Sequence, residues 1–192
     1  GFGAQYQSIM SGIAYCEKMK YKFHFTRFKT IEHIKTSQEV DSLTNFIGIP
    51  TKKENIKCDI SEPFSKIVHG SIKPSYFYTP SVLTKIRRYY YSTSKPIIKN
   101  QSEISIHIRR GDVVSDSSNN NINIRYTSNV VYSKIINFLT KKYPDKKITI
   151  YSQGKLEDFD DLQSINRSKI SLFLNGDIKE TFHRLVSSNI LV

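Results

Sequence analysis

Residues 104–114 read I-S-I-H-I-R-R-G-D-V-V. Isoleucines at 104, 106 and 108 alternate with Ser105 and His107, the period-two pattern of a strand with one apolar face in the core. The strand runs without a break into Arg109, Arg110, Gly111 and Asp112. Burying charge without a partner is expensive, so these cations need a counter-charge or an anionic ligand. In an open parallel α/β sheet the C-terminal strand edge is where ligands bind. Two guanidinium forks beside a glycine suit a phosphate group, which arginine grips bidentately. A pair of arginines salt-bridged to Asp112 and nearby loops satisfies the same residues, and the local sequence leaves both readings open.

Working outward, the rhythm after residue 103 is regular. The patterns predict a helix near 129–143, a strand at 147–151, a short helix at 156–163 and a strand at 170–174. A helix at 178–186 and an apolar segment at 190–192 follow. Strands alternating with helices imply parallel βαβ units, and hence one Rossmann-type half. Upstream, Tyr6, Ile9, Met10, Ile13 and Cys16 recur at helical spacing and predict a helix near 5–20, followed by a strand at 21–25. Residues 26–81 hold short apolar stretches broken by Pro50, Pro63, Pro74 and Pro80, as loops and short helices do. Within them Tyr76, Phe77 and Tyr78 suit core packing or a sugar-stacking groove. A helix at 82–91 carries Leu83, Ile86 and Tyr90 on one face, with Arg87 and Arg88 beside it. The stretch 92–102, with Pro96, reads as a linker. The division expected is therefore an N-terminal α/β domain over 1–98 and an incomplete Rossmann-type domain over 99–192.

With 192 residues, 38% of them hydrophobic, the chain is long enough to bury a core. No apolar run approaches the length of a membrane span. The chain opens at Gly1 rather than Met, which leads us to expect a piece of a longer protein. Cys16 and Cys58 define no disulfide framework, and Cys16 sits on the apolar face of its predicted helix as a buried thiol would. The five histidines are scattered, so no metal site is expected. The net charge of +12 attracts polyanions of any kind, including nucleotide diphosphates. Its lysines are spread along the chain and no nucleic-acid module is visible, so nucleic acid is not an expected partner.

The block His107-Ile108-Arg109-Arg110-Gly111-Asp112 resembles the donor-binding motif of the fucosyltransferases that make α1,2 and α1,6 linkages, a superfamily that includes the protein O-fucosyltransferases. Gly1-Phe2-Gly3-Ala4-Gln5 is similar to the Gly-x-Gly-x-Gln turn that precedes the first helix in these enzymes. The run 148–159, I-T-I-Y-S-Q-G-K-L-E-D-F, resembles their next strand and polar turn. Residues 181–192 resemble the helix and strand that lead to the family's last serine-rich motif, which does not follow here. Ser188-Asn189 stands where the family commonly has Ala-Asp, and Thr181 falls near a position that often holds a carboxylate.

The resemblance implies a GT-B-like fold, two Rossmann-type halves facing a cleft, truncated at the C-terminus. It also implies inverting, metal-independent transfer of fucose from GDP-fucose to a glycan or protein acceptor. Arg109 would then grip the diphosphate, a role in which one preorganised donor is worth about 3–4 kcal/mol. Arg110 would hold a second oxygen or fix the loop. His107 would donate to phosphate or orient Arg109, and Asp112 would anchor the arginines. The backbone of Gly3 and Ala4 would approach the diphosphate. Ser152 and Gln153 would meet ribose or guanine, with Asp177 a further candidate for the base. Asp116 is the candidate carboxylate for deprotonating the acceptor. Two alternatives accompany this reading. One is a glycosyltransferase using another nucleotide sugar, and the other is a non-catalytic relative that binds glycan or nucleotide.

Overall fold

Helix α1 (Phe2–Met19) opens the first of two units into which the computed structural model divides, Gly1–Lys95 and Pro96–Val192. The structure describes residues 1–51, 68, 73–99, 101–111, 113 and 126–192. Helix α1 begins three residues earlier than its apolar spacing suggests, so Gly3 and Ala4 lie in its first turn. One stripe buries Phe2, Tyr6, Ile13, Ala14 and Cys16, the amphipathic pattern that holds a helix to a core. Cys16 is buried, while Cys58 lies outside the described residues.

The strand expected at 21–25 does not form. Phe25 makes one isolated parallel bridge to Thr51, and its ring packs edge-on against Phe28 at 5.6 Å. An extended segment becomes a strand only beside a partner that completes its ladder. Among the described residues of this unit that partner is one residue long.

Helix α2 (Ser37–Phe46) starts from a reciprocal capping box between Thr36 and Glu39. Helix α3 (Pro80–Tyr90) has Pro80 in its first turn and Thr79 as its cap. Of the aromatic cluster before it, Phe77 enters a core with Ala14, Val68 and Val82, whereas Tyr76 is exposed beneath the Lys18 ammonium at 3.6 Å. The Lys95 ammonium closes the end of α2 by donating to the Phe46 carbonyl at 2.7 Å, between the Phe46 and Tyr90 rings. Burial there pushes its pKa down to about 8. Among the described residues no helix is long and apolar enough to cross a membrane.

The second unit is an α/β layer structure. Strands β1 (Ile104–His107), β2 (Ile148–Ser152), β3 (Ile170–Leu174) and β4 (Ile190–Leu191) form one all-parallel sheet in the order β3-β2-β1-β4. Helix α4 (Asn129–Lys142) connects β1 to β2. A 3-10 turn (Leu156–Phe159) running into helix α5 (Asp160–Gln163) connects β2 to β3, and α6 (Ile178–Ser187) connects β3 to β4. Ile104, Ile106, Ile108, Ile148, Ile150 and Ile170 pack against Ile136 and Leu139 of α4 and against Phe159 and Leu162. Each such side chain contributes about 1.5–3 kcal/mol on burial, so this aliphatic layer is the unit's main support.

The opposite face is polar and aromatic. Ser105, Thr149 and Ser171 share one row across the sheet, and His107, Tyr151 and Phe173 share the next. Thr149 and Ser171 pair hydroxyls at 3.0 Å, and the Tyr151 hydroxyl pairs with Ser102. Helix α6 covers this side, its Arg184 guanidinium lying 4.8 Å over the Phe173 ring and tied to Glu180 at 2.7 Å.

Candidate functional site

The strand order places the site. The chain steps from β1 to β2 to β3, then returns to lay β4 on the other side of β1. Such a reversal opens a crevice outside the C-terminal ends of the strands. The ladder of β1 runs one residue past the strand, with the Ile108 N–H donating to the Tyr151 carbonyl at 2.9 Å. Arg109, Arg110 and Gly111 follow at that edge.

The two arginines differ in environment. Arg109 is exposed, whereas Arg110 is half-buried and committed to internal bonds. One Arg110 nitrogen donates to the Arg109 carbonyl at 2.9 Å. The other donates to the Thr127 carbonyl at 2.9 Å and to Asn129 Oδ1 at 2.8 Å. Its guanidinium also lies 4.3 Å from the centre of the Tyr126 ring. These bonds tie Arg110 to its own loop and to the start of α4. Gly111 has φ +88°, and a Cβ there would sit 2.4 Å from Gln153 Oε1. The left-handed backbone is what favours glycine at this turn, since the Gln153 amide end can swing aside.

Arg110, Gly111, Tyr126, Asn129, Gln153 and Asp158 line an open cavity of about 270 Å³. Small-molecule sites run from about 300 Å³ upward, so this one lies at the small end of that range. Asn129 donates to the Asp158 carbonyl at 2.8 Å and to Asp161 Oδ1 at 3.0 Å. On the far side Asn175, at φ 54°, exchanges a pair of hydrogen bonds with the backbone of Gly154. The loops after β1, β2 and β3 are thus stapled by side-chain amides at the C-terminal edge.

His107 lies on the polar face beside this edge. The residue stays exposed, and a partial loss of solvent around its ring, then the charge of Arg109, lower its pKa. A neutral imidazole next to a guanidinium keeps both a donor and an acceptor near neutral pH.

Several expected contacts have other uses. The Ser152 hydroxyl is buried and donates to the Ile108 carbonyl at 2.7 Å, locking β2 to β1. Asp177 caps α6, its carboxylate accepting from the N–H groups of Lys179 and Glu180. Gly3 and Ala4 are exposed on α1 in the first unit. Asp112 and Asp116 lie outside the described residues. Gln153 does line the cavity with Arg110. Sequence reading passed over Tyr126, Asn129, Asp158 and Asn175. A signal existed for one of them: Asn175 precedes a glycine, a place where asparagine bonds to backbone.

No protein-family model matches the sequence, no curated protein matches it, and no solved structure matches the fold.

Proposed function

We propose that the chain binds a nucleotide sugar and belongs to a GDP-fucose-dependent fucosyltransferase of GT-B type, inverting at the anomeric carbon and independent of metal. The observation that carries this reading is the Arg109-Arg110-Gly111 turn at the C-terminal edge of β1, in a parallel sheet whose order reverses beside that strand. An exposed guanidinium at such an edge suits a diphosphate. In the reaction an acceptor hydroxyl oxygen attacks C1 of the sugar. The C1–O bond to the β-phosphate breaks, its electron pair passes to the phosphate oxygen, and the hydroxyl proton goes to a base. Arg109 would stabilise the charge developing on that phosphate. His107 would donate to a phosphate oxygen or orient Arg109, and the cavity at Gln153 would take a ring of the nucleotide. The acceptor would be a glycan or a glycoprotein, with Asp116 as the base.

A non-catalytic nucleotide- or glycan-binding relative is the second reading. It is favoured by Ser152 and Asp177, both occupied in holding the fold. Calorimetry with GDP-fucose, with ADP-glucose as competitor, tests the first. Saturable, GDP-selective binding is expected, weakened at least about tenfold in Arg109→Ala, the scale of one lost charge-assisted contact. A folded protein that binds neither nucleotide sugar overturns both the donor site and the transferase reading. Binding without turnover of any glycan acceptor favours the second.

A further inference from the structure

Asn129 occupies the first position of α4, just after its cap Ser128, and its side chain bonds outside its own helix. Its Oδ1 accepts from Arg110, which comes from the loop after β1. Its Nδ2 donates to the Asp158 carbonyl and to the Asp161 carboxylate, both from the connection after β2. The amide orientation follows from chemistry, since a guanidinium can only donate and a carboxylate can only accept. Three of the four hydrogen bonds an asparagine can make are therefore spent on partners 19, 29 and 32 residues away.

The consequence concerns the cavity. Its wall from β1 (Arg110, Gly111) and its wall from β2 (Gln153, Asp158) are linked through the Asn129 amide, in addition to the strand ladder and the Ser152 hydroxyl. Arg110 also carries the carbonyl of Arg109 on its guanidinium, so the same link reaches the backbone of the exposed arginine. We propose that Asn129 is a positioning residue that clasps the β1 loop to the β2 loop and so sets both the cavity width and the placement of Arg109. The inference rests on the nucleotide-binding reading above, and adds to it a residue that no motif singles out.

Asn129→Asp and Asn129→Ala in the full chain separate this role from simple support. In Asn129→Asp the oxygen facing Arg110 is kept, but a carboxylate meets the carboxylate of Asp161. Two such groups in contact cannot both ionise easily, so one titrates well above its usual range. At pH 8 the variant is expected to bind GDP about tenfold more weakly than wild type. At pH 5 the shared proton restores a donor toward Asp161, and affinity returns to within about threefold of wild type at that pH. Asn129→Ala is expected to bind weakly at both pH values. Hydrogen exchange should quicken in both 107–111 and 153–162 for Asn129→Ala. Equal loss in Asn129→Asp at both pH values, or exchange changing on one side of the cavity alone, overturns the clasp. If wild type fails to bind GDP at all, the nucleotide reading falls. The two-sided exchange response then still decides whether the clasp exists.

Discussion

The two faces of the sheet in the second unit are built on opposite principles. One is a continuous aliphatic layer in which Ile104, Ile106, Ile108, Ile148, Ile150 and Ile170 meet two helices. The other offers hydroxyls, aromatic rings and an exposed imidazole, packs against helix α6, and leaves the Ser105 hydroxyl buried without a hydrogen-bond partner among the described residues. The first face is suited to stability, because apolar burial is non-directional and additive over area. The second exchanges stability for polar groups near the edge where Arg109 emerges. That contrast teaches where substitution should be costly, neutral or even stabilising.

The largest effect should come from the aliphatic face. Ile106→Ala is expected to lower unfolding free energy by about 2–5 kcal/mol in a urea titration, since the site is fully enclosed. A loss below about 1 kcal/mol would mean the layer repacks freely, and the contrast between faces would collapse. Gly111→Ala comes next, at about 1–3 kcal/mol, from the positive φ. If it also weakens GDP binding more than it destabilises, the turn shapes the cavity as well as the fold.

The polar face should respond with the opposite sign. Ser105→Ala removes a buried hydroxyl that makes no bond, and should raise stability by about 1 kcal/mol. A destabilised variant would show that this hydroxyl has a partner the described residues do not include. The smallest effect is a pH slope at His107. Its folded pKa is lowered, so the unfolded chain binds the proton more tightly. Stability is then full above the unfolded value of roughly 6.5 and falls as pH drops through that value toward the folded pKa. Thermal melts of wild type and His107→Gln should run parallel above that pH and diverge below it. Parallel curves throughout would place His107 in bulk solvent.

The strand and helix positions of the second unit were legible because their signals are local. Alternation at 104–108 and helical spacing at 178–186 each need only a few neighbouring residues to be read. The strand expected at 21–25 was legible in the same sense and did not form, since its aromatic-polar alternation found no neighbouring ladder beyond Thr51. At the candidate site the residue types of Arg109, Arg110 and Gln153 were visible in advance. Their roles were not, because Ser152 and Asp177 carry equally suitable groups and spend them on Ile108 and on the start of α6.

By itself, then, the sequence determined that strands and helices alternate through the described part of the second unit, and that a glycine turn with two arginines ends the first strand. Period and composition are properties of contiguous residues, so folding need not be known to read them. Tertiary structure alone decided the order β3-β2-β1-β4, and the commitment of Arg110 to Asn129 while Arg109 faces solvent. It also decided that the cavity closes on Tyr126 and Asp158. Hydrogen-bond partners separated by 19 to 44 residues leave no periodic trace, and only their meeting in space assigns each polar group its task.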